Sequence, residues 1–253
     1  MSPEKELSGK VAVITGAARN MGRLFGLHLA RKGADIVVHY HNELALADAR
    51  HTVSLIKEQG ANALLFEGDI STTAVVKKLF DEALRQFGRV DIVINNAGKV
   101  IKKPFTEITE EDYDSSFSIN AKAAFFVMQE AAKRMASNGR IINIGTTILG
   151  ATIPSYSVYA GSKGPLEHFT RALAKEVGDR GITVNTIAPG PIDDSFYHGQ
   201  ETAESAARAS KASVAGRLGH PDDIVPVIGF LASQQSQWIT AQTIFVNGGY
   251  LAR

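Results

Sequence analysis

Tyr159 and Lys163 are the two side chains whose types and spacing could carry proton-transfer chemistry. They are four residues apart in YAGSK, so on a helix they lie on one face. An ammonium beside a phenol favours the phenolate and lowers the pKa of the tyrosine. Such a tyrosine can exchange a proton with a carbonyl or alcohol oxygen near neutral pH. The pattern alone is weak, since an amphipathic helix can place a half-buried tyrosine and a surface lysine at this spacing without any chemistry.

A glycine-containing loop, TGAARNMG at residues 15–22, follows an apolar run near the start of the chain. Gly16 permits a turn that brings backbone amides close to a phosphate, and Gly22 lets the next helix pack closely against the sheet. Asn20 stands where a glycine would be expected, and asparagine is the residue besides glycine that best tolerates a positive φ. The loop therefore predicts either a dinucleotide cradle or a simple structural turn.

The end of the second apolar run bears on which dinucleotide this loop would hold. In dinucleotide-binding folds an acidic residue there binds the ribose hydroxyl of NAD, whereas a nearby arginine suits the extra phosphate of NADP. The run ends in Tyr40 and His41, with no carboxylate before Glu43, and Arg19 lies in the first loop. Arg19 could pair with a 2′-phosphate through two parallel hydrogen bonds. NADP is therefore favoured over NAD, with His41 as a minor contact.

Several other polar and aromatic residues have ordinary structural interpretations. His39 and His41 alternate on a predicted strand, but without a third ligand no metal site is predicted, and His39 is interpreted as a sheet residue. Asp193 and Asp194 are adjacent in a loop and are interpreted as solvated. Trp238 is expected in the core or in an interface.

The stretch 190–220 has weak strand and helix patterns and begins where a predicted strand ends. It is either a surface excursion or a mobile lid over the carboxyl ends of the strands, where ligands bind in open α/β sheets. Within it, Phe196 and Tyr197 are candidates for shaping an apolar substrate pocket, whereas Glu201 is expected in a surface or interface pair. Tyr156 could line the substrate side or simply pack beside a strand.

Short apolar runs alternate with longer stretches of helical periodicity along the chain. The runs are rich in valine and isoleucine and lack polar alternation, as expected for parallel strands covered on both faces. This alternation predicts right-handed βαβ units and a single doubly wound α/β domain of the Rossmann type, residues 1–253, with a mostly seven-stranded parallel sheet. The predicted strands are 11–15, 35–40, 63–69, 90–98, 140–146, 182–190 and 242–249, and the predicted helices are 22–32, 43–59, 73–87, 111–136, 156–179 and 222–233.

The composition argues against several function classes. The 253-residue chain has 27 basic and 26 acidic residues and a net charge of +1, which gives no electrostatic basis for binding nucleic acid or an anionic membrane. It contains no cysteine, so disulfides and thiolate chemistry are excluded. No apolar run is long enough to span a membrane, and the first ten residues are charged rather than apolar. A cytoplasmic protein is expected.

The joint pattern resembles the short-chain dehydrogenase/reductase family, from about Leu7 to Tyr250. Any single motif could occur by chance, but their number and common order make the resemblance specific. Within the family the chain is most similar to the 3-oxoacyl-carrier-protein reductase and ketoreductase branch. The motifs are the loop Thr15–Gly22, GDI at 68–70, NNAG at 95–98, Asn120 in SINAKAAF, the strand RIINIGTT, Tyr159 and Lys163 in YAGSK, NTIAPGPI at 185–192 and QTIFVNGGY at 242–250.

The resemblance implies a catalytic set of Asn120, Thr146, Tyr159 and Lys163. Tyr159 would be the general acid/base, Lys163 would hold the nicotinamide ribose and lower the tyrosine pKa, and Asn120 would anchor a proton-relaying water. Thr146 stands where the family has a serine that binds the substrate oxygen, and it keeps the hydroxyl with an added methyl. The neighbouring Thr147 remains an alternative to Thr146.

The resemblance also implies NADP(H) as the cofactor. Asp69 would accept a hydrogen bond from the adenine amino group, with Ile70 against the ring. A side chain at Gly98 would clash where the chain passes the adenosine ribose. The implied cofactor-binding residues are Gly16, Arg19, Asn20, Met21, Gly22, Tyr40, His41, Asp69, Ile70, Asn96, Ala97, Gly98, Tyr159, Lys163, Pro189, Gly190 and Ile192.

These patterns together predict NADPH-dependent reduction of a ketone or aldehyde to an alcohol. One alternative is a coenzyme-binding regulatory or sensor protein without turnover, which the intact Asn120, Tyr159 and Lys163 disfavour. Another is NAD-dependent alcohol oxidation, which the missing carboxylate at Tyr40 disfavours. The expected partner is a small carbonyl or alcohol substrate, with no nucleic acid, membrane or metal. The resemblance also implies a homotetramer.

Overall fold

Seven parallel strands form one sheet in the computed structural model, which describes residues 5–252. The first and fifth strands are buried along their whole length, as expected when helices cover both faces of a sheet. The predicted seven-stranded parallel sheet is therefore confirmed. The strands are β1 (Val11–Ile14), β2 (Asp35–Tyr40), β3 (Ala63–Glu67), β4 (Ile92–Asn95), β5 (Arg140–Ile144), β6 (Thr183–Pro189) and β7 (Thr243–Val246).

Helices cover the two faces of the sheet, and local signals set several of their ends. The Thr109 hydroxyl accepts from the Asp112 amide at the start of one helix, and Gly88 ends another with a φ of 74°. Within residues 5–252, no helix is both long and apolar enough to cross a membrane. The helices are α1 (Asn20–Arg31), α2 (Leu46–Glu58), α3 (Thr73–Phe87), α4 (Glu110–Phe117), α5 (Ala124–Arg134), α6 (Ser157–Lys163), α7 (Pro165–Glu176), α8 (Ser195–His198), α9 (Ala203–Ala212) and α10 (Pro221–Ala232).

Two apolar clusters, one on each face, hold the helices against the sheet. Ile14 of β1 belongs to the cluster that includes Phe25 of α1 and Ile228 of α10. Its neighbour Val13 belongs to the opposite cluster, with Phe80 of α3. Successive residues of a strand point to opposite faces, so this short strand joins both clusters. Burying these side chains stabilises the fold by roughly 1.5–3 kcal/mol for each large residue.

The strand order creates the crevice in which the predicted site lies. The order is β3-β2-β1-β4-β5-β6-β7, so the chain proceeds outward from β1 in one direction and from β4 in the other. Ligands bind open α/β sheets at such a reversal, outside the carboxyl ends of the strands. The loops that follow β1 and β4 begin at Thr15 and Asn96, and both open into this crevice.

Two long predicted helices are interrupted in the structure. The predicted helix 111–136 contains a wider π-helical turn at Ser118–Ala123, between α4 and α5. The predicted helix 156–179 breaks at Gly164, because Pro165 has no amide hydrogen to continue the helical bonding. Helical periodicity alone could not show either interruption.

The segment 190–220, called the lid segment below, contains the two helices α8 and α9. Asp194 is not simply solvated as predicted, because its carboxylate accepts the amides of Phe196 and Tyr197, each at 3.0 Å, and begins α8. Thr202 begins α9 in the same way, accepting the Ser205 amide at 3.2 Å. A capping side chain therefore sets the start of each of these two helices.

Candidate active site

A cavity of about 1200 Å³ lies along the carboxyl ends of the strands. It extends from the glycine-containing loop after β1 to the lid segment. Asn120 is the one predicted site residue that does not line it, because that side chain is fully buried behind the wall. The predicted residues that line the cavity are Gly16, Arg19, Asn20, Met21, Gly22, Tyr40, His41, Asp69, Ile70, Asn96, Ala97, Gly98, Thr146, Tyr159, Lys163, Pro189, Gly190 and Ile192.

Tyr159 and Thr146 bring two hydroxyl groups together in the wall of the cavity. Tyr159 lies on α6 and is 8% exposed, whereas Thr146 follows the end of β5. Burial raises the pKa of Tyr159 to about 12, and a hydrogen bond with the Thr146 hydroxyl offsets this only in part. The phenol is therefore protonated near neutral pH.

Lys163 lies one helical turn after Tyr159 and is almost completely buried. Its Nζ donates a 2.7 Å hydrogen bond to the carbonyl of Ile144, the last residue of β5. Burial lowers the pKa of Lys163 to about 8, because a charged ammonium is costly away from water. The prediction that this ammonium lowers the Tyr159 pKa is wrong for the structure. Lys163 donates to the Ile144 carbonyl, and burial is the largest influence on the pKa of Tyr159.

Asn120 connects the π-helical turn to the loop after β4. Its Oδ1 accepts the Lys99 amide at 2.9 Å, and its Nδ2 donates to the Lys99 carbonyl at 2.7 Å. A Cβ built on the neighbouring Gly98 would lie 3.0 Å from Asn120 Oδ1 and 3.3 Å from Lys163 Nζ. Asn120 and Lys163 thus face one small space, which the absence of a side chain at Gly98 keeps open. A side chain at Gly98 would therefore crowd these protein atoms, and the predicted clash beside the adenosine ribose stays a prediction.

The hydrogen bonds distinguish Thr146 from Thr147, which the sequence left as alternatives. Thr147 is 2% exposed, and its hydroxyl donates to the Ala188 carbonyl at 2.9 Å and accepts from Asn247 at 3.2 Å. That hydroxyl therefore ties β5 to β6 and β7. Thr146 bonds the Tyr159 phenol and accepts the Ile148 amide at 3.3 Å. Of the two threonines, Thr146 is the one whose hydroxyl bonds Tyr159.

The glycine-containing loop adopts the conformation that its residue types predict. Gly16 has a φ of 65° and Asn20 a φ of 50°, so asparagine does occupy a left-handed position. A Cβ at Gly22 would lie 2.3 Å from the Gly16 carbonyl oxygen, a separation that no real side chain tolerates. Gly22 therefore allows α1 to begin directly against the loop.

The backbone amides of this loop are used differently from the prediction. The Gly16 amide donates to Nδ1 of His39 at 3.1 Å, and the Ala17 amide donates to the His39 carbonyl at 2.8 Å. Neither of these amides is available for a phosphate. The free anion-binding groups lie instead at the start of α1, which has no capping side chain and no acidic residue in its first turn.

Arg19 is well placed to meet an anion at the outer end of the cavity. Its side chain is 67% exposed, and its nearest carboxylate is Asp48 at 4.0 Å, which also pairs with Arg23 at 3.2 Å. The Tyr40 hydroxyl donates to Glu67 of the neighbouring strand at 3.0 Å. Glu67 is absent from the cavity lining, so no carboxylate occupies the predicted ribose position on β2.

The remaining predicted cofactor residues line the cavity between the glycine-containing loop and the lid segment. Asn96 donates to the carbonyls of Thr15 and Gly16, both at 3.0 Å, and so joins the loops after β1 and β4. Asp69 accepts the Ser71 amide at 3.0 Å and lies 3.9 Å from His41. Its carboxylate thus faces the cavity with capacity to accept a further donor.

Pro189, Gly190 and Ile192 lead from β6 into the lid segment. The Gly190 amide donates to the Val246 carbonyl at 3.2 Å, and a Cβ at Gly190 would lie 2.9 Å from Cβ of Asn247. Glycine is therefore required for β6 and β7 to leave the sheet together. Ile192 pairs with Gly219, which closes the base of the lid segment.

His39 has a larger role than its interpretation as a sheet residue. It is buried, its Nδ1 accepts the Gly16 amide, and its Nε2 lies 2.9 Å from the Gly68 carbonyl. Because Nδ1 accepts, Nε2 must carry the hydrogen that bonds Gly68. One neutral imidazole thus joins the loops that lead to Gly16 and Asp69. The sequence signal was an imidazole in an otherwise apolar strand.

We expect His39 to make the fold sensitive to acid. Burial lowers the pKa of His39 to about 4, from 6.5. The unfolded chain therefore takes up a proton below about pH 6.5, whereas the folded chain does not do so until about pH 4. Between these values the free energy of unfolding should fall by about 3 kcal/mol as pH decreases.

Urea unfolding at a series of pH values measures this loss. His39→Asn should lack that part of the pH dependence, whereas His51→Gln, on the exposed face of α2, should retain it. Equal acid sensitivity of the wild type and His39→Asn would contradict the prediction.

Three lining residues form a polar cluster that the sequence did not predict. Lys102, Tyr156 and Glu201 meet where the lid segment covers the cavity. Glu201 was expected in a surface or interface pair, but its partners are the lining residues Lys102 and Tyr156. Tyr156 lines the cavity on the substrate side rather than only packing beside a strand. Phe196 and Tyr197 line the same region, as predicted.

Similarity to known proteins agrees with this geometry. A family model described as "Enoyl-(Acyl carrier protein) reductase" matches residues 16–251. "Short chain dehydrogenase claC" of Passalora fulva is 40% identical over 96% of this chain and 95% of its own length. This chain belongs to the short-chain dehydrogenase/reductase family. The resemblance carried by the sequence motifs is thus confirmed.

Two solved structures illustrate the similarity of the fold. A dehydrogenase from Burkholderia cenocepacia, described with bound NADP, is 42% identical with a TM-score of 0.95, over 100% of this chain and 97% of that one. The angucycline C-6 ketoreductase LanV, also described with bound NADP, is 32% identical with a TM-score of 0.91, over 97% of each chain. Both support the Rossmann-type fold.

Proposed function

We propose that this protein is an NADPH-dependent ketoreductase that uses Tyr159 as its general acid. The observation that carries the proposal is the placement of the buried Tyr159 phenol and the Thr146 hydroxyl in the wall of one cavity, which begins at the glycine-containing loop. A carbonyl oxygen placed between these hydroxyls could accept two hydrogen bonds. Family membership makes the chain an oxidoreductase.

NADP(H) is the coenzyme that fits the outer end of the cavity. Related dehydrogenase and ketoreductase structures are described with bound NADP. In this chain the uncapped start of α1 suits a diphosphate, and the exposed Arg19 suits a 2′-phosphate. Asp69 and Ile70 would hold the adenine, whereas Pro189, Gly190 and Ile192 would lie beside the nicotinamide. When bound, the coenzyme supplies the hydride.

The chain's own residues would orient the carbonyl and supply its proton. Tyr159 is protonated near neutral pH, which is the state that reduction requires and alcohol oxidation does not. Thr146 would hold the carbonyl oxygen beside the phenol. Lys163 would bind the nicotinamide ribose and, with a pKa of about 8, restore the proton to Tyr159. Asn120, which faces the same small space as Lys163, would position a water that connects the lysine to solvent.

We propose bicyclic aryl ketones as the first substrates to test. The hydroxynaphthalene reductase-like protein Arp2 of Metarhizium brunneum is 38% identical over 97% of this chain and 96% of its own length. The LanV ketoreductase is described as acting at C-6 of an angucycline. In this chain the cavity that Tyr159 lines is also lined by Ile148, Ile153 and Phe196, which suit a flat apolar ring system.

The loss of NADPH absorbance with α-tetralone, a bicyclic aryl ketone, tests this function. We expect kcat/KM with NADPH to exceed that with NADH by about tenfold to a hundredfold, since a charge-assisted phosphate contact contributes roughly 1.5–3 kcal/mol. Arg19→Ala should remove most of this preference. Arg31→Ala, at the other end of α1, should retain it.

Two outcomes would contradict the proposal. Equal rates with the two coenzymes would exclude Arg19 as the phosphate contact. Reduction of an enoyl thioester, but of no ketone, would assign the activity after which the family model is named.

The predicted homotetramer and cytoplasmic location stay predictions, as does the single domain over residues 1–253. Trp238 is 98% exposed, so its expected place in the core is wrong and an interface is the remaining alternative. Phe125 of α5 and Phe230 of α10 are each 40% exposed. Such exposed aromatic side chains support association between copies of this chain.

A further inference from the structure

The polar cluster of Lys102, Tyr156 and Glu201 joins three separate segments of the chain. Lys102 lies in the loop after β4, Tyr156 lies just before α6, and Glu201 lies between α8 and α9 in the lid segment. One Glu201 oxygen accepts from Lys102 Nζ at 2.6 Å, and the other accepts from the Tyr156 hydroxyl. The ammonium also lies 5.5 Å from the centre of the Tyr156 ring. Glu201 thus accepts hydrogen bonds from two segments outside the lid segment at once.

Burial makes this contact different from an exposed ion pair of the lid segment, the one between Glu204 and Arg208. The Glu201 side chain is 5% exposed, whereas Glu204, which pairs with Arg208, is 84% exposed. Exposed pairs contribute little because water and salt screen them. Losing one partner of a buried pair leaves an uncompensated charge and is strongly destabilising. A displaced lid segment would leave Lys102 without its carboxylate.

The cluster lies directly beside the proposed acid. The Tyr156 and Tyr159 rings meet edge-on, with centres 6.1 Å apart. The Lys103 amide donates to the Ser155 carbonyl at 2.9 Å, so the segments that carry Lys102 and Tyr156 are also joined by backbone. The lid segment has a second attachment six residues earlier, where Ser195 and Asn20 exchange hydrogen bonds of 2.9 and 3.1 Å. The cluster attaches the lid at the substrate side, and Asn20 attaches it at the coenzyme side.

We propose that Glu201, with Lys102 and Tyr156, anchors the lid segment over the substrate and so positions the wall opposite Tyr159. These are positioning residues, because they act through the lid and the Tyr156 ring rather than on the reacting atoms. Breaking the anchor loosens the substrate end of the cavity and leaves the coenzyme end attached. The kinetic part of the test rests on the proposed ketoreductase function, whereas the proteolytic part does not.

Steady-state kinetics with α-tetralone and NADPH form the first part of the test. In Glu201→Gln and Lys102→Met we expect the KM for the ketone to rise about tenfold while the KM for NADPH changes by less than about twofold. Lys103→Met is the matched control, since Lys103 pairs with Asp112 outside the cavity. Glu204→Gln is the control for the exposed carboxylate. Neither control should change the KM for the ketone, and unchanged values in both anchor variants would overturn the proposal.

Trypsin cleavage in α9 forms the second part and needs no substrate. Arg208 and Lys211 are exposed in α9, and cleavage there requires the lid segment to open locally. We expect about tenfold faster release of these fragments from either anchor variant than from the wild type or Glu204→Gln. Equal cleavage rates would overturn the anchor even if no ketone is reduced. A wild type that resists cleavage but reduces no ketone would instead contradict the proposed function.

The double variant Lys102→Met/Glu201→Gln shows whether the two residues act as a pair. If they do, its effects on KM and cleavage should be smaller than the product of the single effects, since the second change removes the unpaired charge left by the first. Single effects that simply multiply would show independent residues and overturn the proposal. Tyr156→Phe, which keeps the ring but removes the donor to Glu201, should also speed cleavage.

Discussion

Tyr159→Phe is expected to bind NADPH normally and to lose nearly all turnover. The substitution removes one oxygen and keeps the ring that packs edge-on against Tyr156. It also removes the proton that the reduced oxygen must receive, which we assign to the Tyr159 hydroxyl beside Thr146 in the cavity wall. Loss of a general acid costs about 10²–10⁴ in rate. Single-turnover reduction of α-tetralone, with NADPH binding followed by fluorescence, measures the two effects separately.

Tyr113→Phe provides the matched control for this loss. Tyr113 is half exposed and stacks on Phe117, away from the cavity, so removing its hydroxyl should leave turnover unchanged. Near-normal turnover in Tyr159→Phe would remove Tyr159 from the reaction. Loss of NADPH binding together with turnover would indicate that the phenol holds the coenzyme instead.

Thr146→Val is expected to reduce kcat/KM by about 10²–10³, the usual effect of removing a donor to a developing oxyanion. Valine has nearly the shape of threonine but cannot bond the carbonyl oxygen or the Tyr159 phenol. Because the Thr146 bond partly offsets the burial of the phenol, its loss should raise the pKa of Tyr159 further. The pH dependence of kcat/KM measures this second effect.

Thr146→Ser is the control, since it keeps the hydroxyl and removes only the methyl group. We expect its kcat/KM to remain within about tenfold of the wild-type value. If Thr146→Val reduces ketones at the wild-type rate, another donor must hold the substrate oxygen. Thr147 would then be the first residue to examine, despite its bonds to Ala188 and Asn247.

Much of the fold could be predicted because the strand signal is local. Runs such as VAVIT and RIINI are continuous and apolar, and they become β1 and β5. The predicted run 90–98 was too long, since β4 ends at Asn95 and its last predicted residues turn into the site loop. The two helix interruptions depend on single residues and on tertiary contacts. A periodicity average over many residues does not resolve them.

The candidate site could be predicted where one residue type decides the geometry. The left-handed conformation of Asn20 and the close approach of Gly22 to the Gly16 carbonyl follow from the residue types at these two positions. The bond from Lys163 to Ile144 and the place of Glu201 do not, because each depends on burial and on residues distant in sequence. Charge signs alone favoured an exposed Glu201 and a lowered Tyr159 pKa. In the structure the Glu201 side chain is buried, and burial raises the pKa of Tyr159 instead of lowering it.

The Arg19 side chain makes almost none of the contacts that hold the glycine-containing loop in its shape. Its only described carboxylate contact, Asp48, would remain neutralised by Arg23 if Arg19 were replaced. The loop shape comes from Gly16, Asn20 and Gly22, none of which Arg19 supports. If Arg19 holds the 2′-phosphate as proposed, retargeting this protein to the unphosphorylated coenzyme would require the exchange of one solvent-facing cation. Directed evolution at that position could proceed without first stabilising the protein.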